Sequence, residues 1–188
     1  MPAHRQNIEL ARDRAIPGAC SDVATCLSEV AALVIAMDEP GVILETDIEP
    51  RLPDLRCDPI GLRRALLNLV FNARDAVADG GFIVIAARSI RSDQQPTAVE
   101  IRVVDNGVGM SAATIARIFD PFFTTKADGL GGIGLPMVER FVRDAGGEIA
   151  IDSEPGLGTT MALRLPAAGA GGTSSVFRTQ PTSEERGK

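Results

Sequence analysis

Apolar side chains recur at helical spacing in three stretches of the chain. The first runs over 21–40 and ends at a Pro-Gly pair. The second, 58–79, has the clearest boundaries, because Asp58 is a good capping residue, Pro59 suits the first helical position, and two glycines follow. The third begins near 136 and also ends at a glycine pair. The pattern therefore predicts three amphipathic helices.

Other stretches alternate apolar and polar side chains, as half-buried strands do. They lie at 42–48, 82–87, 98–104, 148–152 and 160–165. A polar loop around Gln94-Gln95-Pro96 is expected between the second and third strands, and a turn at 154–158 between the last two. Because strands and helices are interspersed, the pattern predicts the α/β class, as a two-layer α+β sandwich with helices on one face of a sheet.

Composition narrows the class of protein. The chain has 188 residues and a net charge of −6, with no local basic run, so a nucleic-acid-binding surface is not expected. Charges interrupt the apolar stretches, and no signal-peptide pattern is present, so direct membrane contact is not expected and we predict a cytoplasmic location. The three cysteines lack zinc-site spacing and are interpreted as free thiols, and His4 is the only histidine.

The polar face of the second helix carries unusual residue types. Arg64, Asn68, Asn72 and Asp75 lie on the side opposite the apolar face. A solvated surface is the simple interpretation, but asparagine is a poor helix former and two of them lie one turn apart. Their amide oxygens have the chemistry to complete a magnesium shell that already holds phosphate oxygens and waters. At this point both interpretations stay open.

Asp105 ends a predicted strand and opens the run Asp-Asn-Gly-Val-Gly. Such a run is typical of a tight turn. The functional alternative makes Asp105 a buried acceptor for the exocyclic amine of adenine, with Gly107 and Gly109 letting the backbone pass close to the base. In that interpretation, the Thr159 hydroxyl supports Asp105 and the base. Guanine would be rejected, because its carbonyl oxygen would face a second acceptor.

A glycine-rich segment precedes the third helix. Gly129, Gly131, Gly132 and Gly134 are consistent with a flexible loop, or with a phosphate site at the start of the helix. Lys126 lies just upstream as a positive charge, and residues 127–133 are interpreted as a lid that nucleotide orders. Phe119, Phe122 and Phe123 are interpreted as core or lid anchors rather than as a stacking platform.

Four blocks in this order resemble the N, G1, F and G2 boxes of the sensor histidine kinase catalytic domain, in the gyrase, Hsp90, histidine kinase and MutL superfamily. They are Asn68-Leu-Val-Phe-Asn72, Asp105-Asn-Gly-Val-Gly109, Phe119-Asp-Pro-Phe-Phe-Thr-Thr-Lys126 and Gly131-Gly-Ile-Gly134-Leu135. The resemblance implies a Bergerat-type ATP-binding fold with a mixed sheet of about five strands. It covers 21–166. The segment 1–20 is expected to be poorly ordered and 167–188 to be a flexible tail.

The resemblance also implies roles for individual residues. Asn72 would hold magnesium, with Asn68 on the phosphate side, and Asp105 would take adenine. The catalytic residues would be Asn68, Asn72 and Lys126. The full set assigned to ATP binding is Asn68, Asn72, Asp75, Asp105, Gly107, Gly109, Lys126, Gly131, Gly132, Gly134, Leu135 and Thr159.

The family's chemistry is transfer of the γ-phosphoryl group of ATP to a histidine on a dimerisation domain, followed by relay to a response-regulator receiver. Three features depart from the family pattern. Asn68 stands where the ATP-hydrolysing branches have a glutamate base, which favours the kinase branch. Leu130 replaces the usual first glycine of the phosphate loop. His4 has no acidic neighbour and no helix pair around it, so the acceptor histidine is expected from another domain or chain.

Two alternatives stay open at this point. One is a serine kinase that resembles anti-sigma factors, whose product would be acid-stable. The other is a nucleotide-responsive binding module without turnover, an interpretation that rests on Leu130.

Overall fold

The computed structural model describes residues 22–36, 41–125 and 132–169. Its elements, in chain order, are α1 (Val23–Ala36), β1 (Ile43–Ile48), α2 (Pro59–Ala76), β2 (Phe82–Ser92), β3 (Gln95–Asp105), α3 (Ala112–Ile115), α4 (Gly134–Asp144), β4 (Glu148–Glu154) and β5 (Gly158–Pro166). None of the helices in these ranges is long and apolar enough to cross a bilayer.

The five strands form one mixed sheet in the order β1-β2-β3-β5-β4. β1 and β2 are parallel, and α2 is the crossover helix that joins them. The other three pairs are antiparallel, and Asp105 pairs with Thr159 where β3 lies beside β5. The predicted fold class, including the mixed sheet, is confirmed.

The core lies between the helices and one face of the sheet. Alternate residues of β2, β3 and β5 point toward it, and the apolar faces of α1, α2 and α4 cover them. Its largest fully buried side chains include Leu27, Leu62, Leu66, Leu69, Ile83, Ile85, Ile101, Leu163 and Leu165. The opposite sheet face carries ion pairs, among them Glu100 with Arg102 and Arg164. Helices therefore cover one face, as the pattern predicted.

The predicted end of the second helix is wrong by three residues. α2 ends at Ala76, and the cap residue Val77 is already extended, with φ −87° and ψ 146°. The Ala76 carbonyl accepts a hydrogen bond from the N–H of Val108, at 3.0 Å. The loop after β3 therefore donates a hydrogen bond to a carbonyl at the end of α2. The residues next to Ala76 in the sequence do not predict this contact.

The loop predicted around Gln94-Gln95-Pro96 is also wrong. β2 continues to Ser92 and β3 begins at Gln95, so a two-residue turn joins them. Both turn residues, Asp93 and Gln94, have positive φ, at 49° and 65°. This backbone conformation matches the twist of a hairpin, and the strand pairing imposes it on two residues that lack the glycine normally expected there.

Two boundaries near the carboxyl end differ from the expectation. α4 starts at Gly134, two residues before Pro136. The fold also extends past Pro166, because Ala167 donates to the Thr97 carbonyl and Ala168 to the Asp54 carbonyl. The predicted segment 1–20 and the rest of the predicted tail lie outside the described residues.

Candidate functional site

The amino terminus of α2 is fixed by the cap that the sequence predicts. The Asp58 carboxylate accepts from the N–H groups of Ile60 and Gly61, at 3.1 and 2.8 Å. Gly61 packs against the Phe141 ring of α4, where an added Cβ would lie 2.8 Å from a ring carbon. The two helices therefore meet closely, which sets where the polar face of α2 lies relative to the start of α4.

That polar face and the start of α4 converge. An added Cβ on Gly134 would lie 3.1 Å from Oδ1 of Asn68. Asn68 and Asn72 are both partly buried, whereas Asp75 is exposed. Ile133, at the cap position of α4, provides no side-chain hydrogen bond to the first turn. Amide oxygens and uncapped backbone N–H groups thus lie next to each other, an arrangement suited to phosphate and its counter-ion.

The described part of the glycine-rich segment is tied to the phenylalanine block. The N–H of Phe122 donates to the Gly132 carbonyl at 2.8 Å, and Gly132 has φ 78°. Phe122 itself is 78% exposed, so it is not a core residue, while the Phe123 ring packs against Arg117. The predicted residues Lys126, Gly131 and Leu130, with most of the predicted lid, lie outside the described residues.

Asp105 is buried at the end of β3, with 6% of its surface exposed. Within the described ranges it is the one charged side chain in the buried class. Burial raises its pKa, and hydrogen bonds from the backbone N–H groups of Gly107 and Thr159 oppose that shift. The Gly107 N–H lies 2.9 Å from Oδ1. A carboxylate can accept about four hydrogen bonds, so these two donors leave acceptor capacity for a ligand.

The loop after Asp105 is pressed between two neighbouring elements. An added Cβ on Gly107 would lie 2.4 Å from the Ala76 carbonyl oxygen, and one on Gly109 would lie 1.9 Å from that of Glu154. Gly109 also has φ 63°. Only glycine fits at these contacts, so the run serves as tight backbone packing as well as a turn.

Asn106 has a structural role that turn chemistry alone does not indicate. Its side-chain oxygen accepts from the N–H of Phe82 at 2.8 Å, which fixes the start of β2 against the end of β3.

Sequence reasoning did not identify Ser153. Its Oγ lies 2.9 Å from the backbone N of Met110, the carbonyl oxygen of Gly158 and Oγ1 of Thr159. It therefore joins the loop after β3 to the β4–β5 turn beside Asp105. In sequence Ser153 precedes a Glu-Pro-Gly turn, and nothing local distinguishes it from an ordinary strand residue.

A cavity of about 260 Å³ opens beside Asp105. Its lining residues are Val104, Asp105, Asp152, Ser153, Glu154, Leu157, Gly158, Thr159 and Thr160. Asp105, Ser153 and Thr159 share one sheet face by register, while Val104, Asp152 and Thr160 belong to the other. No residue of α2 lines this cavity, so the cavity includes Asp105 but neither Asn68 nor Asn72.

The asparagine face of α2 could hold magnesium only together with phosphate. Among the described residues, no group of three or more His, Cys, Asp or Glu side chains could hold a metal ion. Mg²⁺ in nucleotide sites takes few protein ligands and retains waters and phosphate oxygens. The hard, neutral amide oxygens of Asn68 and Asn72 match that requirement.

The geometry agrees with comparisons to known proteins. The family model of histidine kinase-, DNA gyrase B-, and HSP90-like ATPases matches residues 57–169. The sensor histidine kinase ZraS of Klebsiella oxytoca is 39% identical over 121 residues, which are 64% of this chain and 25% of that protein. The sensor kinase CckA of Brucella abortus is 32% identical over 173 residues, which are 86% of this chain and 18% of that protein.

A solved structure also matches. Full-length ShkA, crystallised in complex with AMPPNP, is 30% identical and has a TM-score of 0.68, covering 80% of this chain and 31% of that one. The chain thus spans a quarter or less of the curated relatives named here. Together with the buried acceptor, the asparagine face and the glycine-lined helix start, these matches show that the chain belongs to the histidine kinase-, DNA gyrase B- and HSP90-like ATPase family, as an ATP-binding catalytic domain of the sensor histidine kinase type.

Proposed function

We propose that this domain binds magnesium-ATP and transfers the γ-phosphoryl group to a histidine supplied by another domain or chain. The observation that carries the proposal is that the loop after Asp105 and the start of α4 both contact α2, at two separate points. The loop after Asp105 contacts the carboxyl end of α2 at Ala76, and the start of α4 contacts Asn68. At 1.5 Å per residue, these two points lie roughly 12 Å apart along the helix. That spacing suits an extended purine triphosphate.

In this proposal Asp105 accepts from the 6-amino group of adenine, and Gly107 and Gly109 shape the wall beside the base. Thr159 lies on the same side. The rejection of guanine follows from its carbonyl oxygen, which would face the carboxylate and leave two buried acceptors unpaired.

At the other end of the site, Asn72 would hold magnesium and Asn68 would lie on the phosphate side. Magnesium, when bound, neutralises charge on the phosphate oxygens. Gly132, Gly134 and Leu135 would form the floor beneath the phosphates. Asp75, Lys126 and Gly131 belong to the same proposed site, the last two as part of the loop that closes over ATP.

For this transfer the domain must position ATP and neutralise charge on its phosphates. It does not have to activate a nucleophile. The γ-phosphoryl group leaves ATP as its bond to the bridging oxygen breaks, and it bonds to an imidazole nitrogen as ADP forms. An asparagine at 68 cannot take a proton from water as a carboxylate could. Hydrolysis is therefore disfavoured relative to transfer to the histidine.

The proposed partners are a histidine-containing dimerisation domain and a downstream response-regulator receiver. The names of the relatives, which are sensor kinases, support this assignment. They do not favour the serine kinase or the binding module. A cytoplasmic location is part of the proposal, since ATP is available there.

The test is transfer of label from [γ-³²P]ATP to a separately added histidine kinase dimerisation domain. We expect an acid-labile, base-stable product that requires magnesium. Asn72→Ala should lower the transfer rate at least about 100-fold, because the metal positions the phosphates. Arg64→Ala, at an exposed position of the same polar face about two turns before Asn72, is the matched control and should stay within about twofold.

Three results would contradict the proposal. Acid-stable phosphoserine would point to the serine kinase. Tight magnesium-ATP binding without transfer to any dimerisation domain would point to the binding module. Equal transfer by the Asn72→Ala and Arg64→Ala variants would remove Asn72 from its assigned role.

A further inference from the structure

The Ser153 hydroxyl lies at the centre of three contacts of equal length. Its Oγ is 2.9 Å from the backbone N of Met110, from the carbonyl oxygen of Gly158 and from Oγ1 of Thr159. A hydroxyl has one hydrogen to donate and two lone pairs that accept. Ser153 therefore uses its entire hydrogen-bonding capacity inside the protein.

The direction of each bond follows from the chemistry of the partners. The Met110 N–H can only donate, so Ser153 accepts there. The Gly158 carbonyl can only accept, so it takes the single hydrogen of Ser153. The remaining contact, with Thr159, must then have Thr159 as the donor. The one hydrogen of the Thr159 hydroxyl is thus directed at Ser153.

This assignment determines what Thr159 presents to the cavity. With its hydrogen committed to Ser153, Oγ1 has only its lone pairs left for a ligand and can act there only as an acceptor. Thr159 is the register partner of Asp105 and lines the same cavity. The carboxylate of Asp105 is also an acceptor. Two acceptors on neighbouring strands therefore stand side by side at the base end of the site.

We propose that Ser153 is a specificity-determining positioning residue, which fixes the Thr159 hydroxyl as an acceptor so that the site takes a 6-amino purine and rejects a 6-oxo purine. The amino group of adenine carries two hydrogens, one for Asp105 and one for Thr159. A carbonyl oxygen at that position would meet two acceptors. The inference rests on the proposed function, in which Asp105 faces the 6-position of the base.

Removing the Ser153 hydroxyl should release this constraint. In a Ser153→Ala variant the Thr159 hydroxyl is free to rotate and to donate its hydrogen toward the base. The variant should then tolerate inosine triphosphate, which has a carbonyl oxygen in place of the amino group. We expect the ratio of the ATP and inosine triphosphate affinities to fall about tenfold, mainly because inosine triphosphate binds more tightly.

The experiment is isothermal titration of the wild type, Ser153→Ala, Thr159→Val and the double variant with both triphosphates and magnesium. The proposal predicts that Ser153→Ala changes the ratio only while Thr159 keeps its hydroxyl. In the Thr159→Val background, the further effect of Ser153→Ala should therefore be within about twofold. Ser153→Thr, which retains a hydroxyl, is the control and should keep the wild-type ratio to within about twofold.

The outcomes separate this inference from the proposed function. A wild type that does not prefer ATP over inosine triphosphate would contradict the assignment of Asp105 itself. A selective wild type with an unchanged ratio in Ser153→Ala, or with the same change in both backgrounds, would overturn the role of Ser153 alone. Should Ser153→Ala fail to fold, Thr159→Val provides the test. In that variant the ratio of the ATP and inosine triphosphate affinities should fall about tenfold, and an unchanged ratio would overturn the inference.

Discussion

Asp105 is a charged group that the fold keeps away from water. A buried carboxylate is unfavourable unless hydrogen bonds compensate for lost solvation. Gly107 and Thr159 supply backbone N–H groups, yet burial still raises the pKa of the Asp105 carboxyl. Such a residue costs stability in the free protein. A ligand amine that donates to it would recover part of that cost, which supports Asp105 as a candidate binding residue.

This cost predicts a pH dependence. At a pH below the ordinary value near 3.8, Asp105 is protonated in both states. As pH rises through the raised pKa of the folded state, the folded protein holds a proton that the unfolded chain has already lost. Stability due to Asp105 must then fall. We therefore expect Asp105→Asn to gain stability relative to the wild type as pH rises from about 3.8 through the raised pKa of Asp105. Urea unfolding at several pH values measures this difference.

The variant must be compared with the wild type because other carboxyl groups change the stability in the opposite direction as pH rises. Hydrogen bonds from the backbone N–H and hydroxyl of Ser89 lower the pKa of Glu49, for example. The same Asp105→Asn variant should bind ATP at least about tenfold more weakly, since an amide cannot replace a charged acceptor. Parallel stability curves for the two proteins, or unchanged ATP affinity, would contradict this account of Asp105.

At the scale of elements, the site depends on how the loop after β3 docks against its neighbours. Val108 donates to the Ala76 carbonyl at the end of α2 and accepts from Gly156 in the β4–β5 turn. Gly109 lies against the Glu154 carbonyl of the same turn. The loop therefore links α2 to the β4–β5 hairpin, whose strands carry Ser153 and Thr159. Movement of any one of these elements would disturb the surroundings of Asp105.

This docking predicts unequal effects for two glycines that have similar backbone angles. Gly109→Ala adds a carbon 1.9 Å from the Glu154 carbonyl oxygen at φ 63°, so overpacking adds to the backbone strain. We expect a loss of about 3 kcal/mol or more in the free energy of unfolding. Gly156→Ala, at φ 80° with nothing within 4 Å, should lose only about 1–2 kcal/mol.

Urea unfolding of both variants measures the difference directly. Nucleotide binding should follow the same order, with Gly156→Ala close to the wild type. Equal losses of stability would mean that the loop relaxes away from the turn, and that the contact with Glu154 does not hold it in place.

At the scale of the whole molecule, the described residues share one hydrophobic core, and the candidate site lies at its edge. Both Asn68 and Asn72 belong to the same helix that buries Leu62, Leu66 and Leu69 against the sheet. The position of the polar face therefore depends on how the apolar face packs. Nucleotide binding and folding stability should be coupled through α2 for this reason.

Two substitutions on α2 test the core. Leu66 is completely buried, so Leu66→Ala should cost about 2–5 kcal/mol through lost burial and the cavity left behind. Ile60 on the same helix is 62% exposed, and Ile60→Ala should change stability by less than about 0.5 kcal/mol. Thermal and urea unfolding give both values. A mild loss at Leu66 would show that the core collapses around the gap.

Much of the fold could be predicted from local signals. Asp58 and Pro59 mark the start of α2 because capping depends on neighbours within one turn. Strand alternation identified all five strands, although the last four, β2 to β5, are longer than predicted. The end of α2 could not be predicted, because the hydrogen bond that ends it comes from Val108, 32 residues beyond Ala76.

What the sequence by itself determined was the order of elements and the residue types of the site, since periodicity, caps and glycine runs act over short distances. Asp105, Asn68 and Asn72 could be named as candidates from their chemistry, but the resemblance of the four blocks was needed to prefer them over a tight turn and a solvated face. The role of Ser153 was decided only by tertiary structure. Its partner Met110 is 43 positions away, and strand pairing brings the two together. The direction in which a hydroxyl donates its hydrogen depends on all of its partners, and a local sequence pattern does not show which residues those partners are.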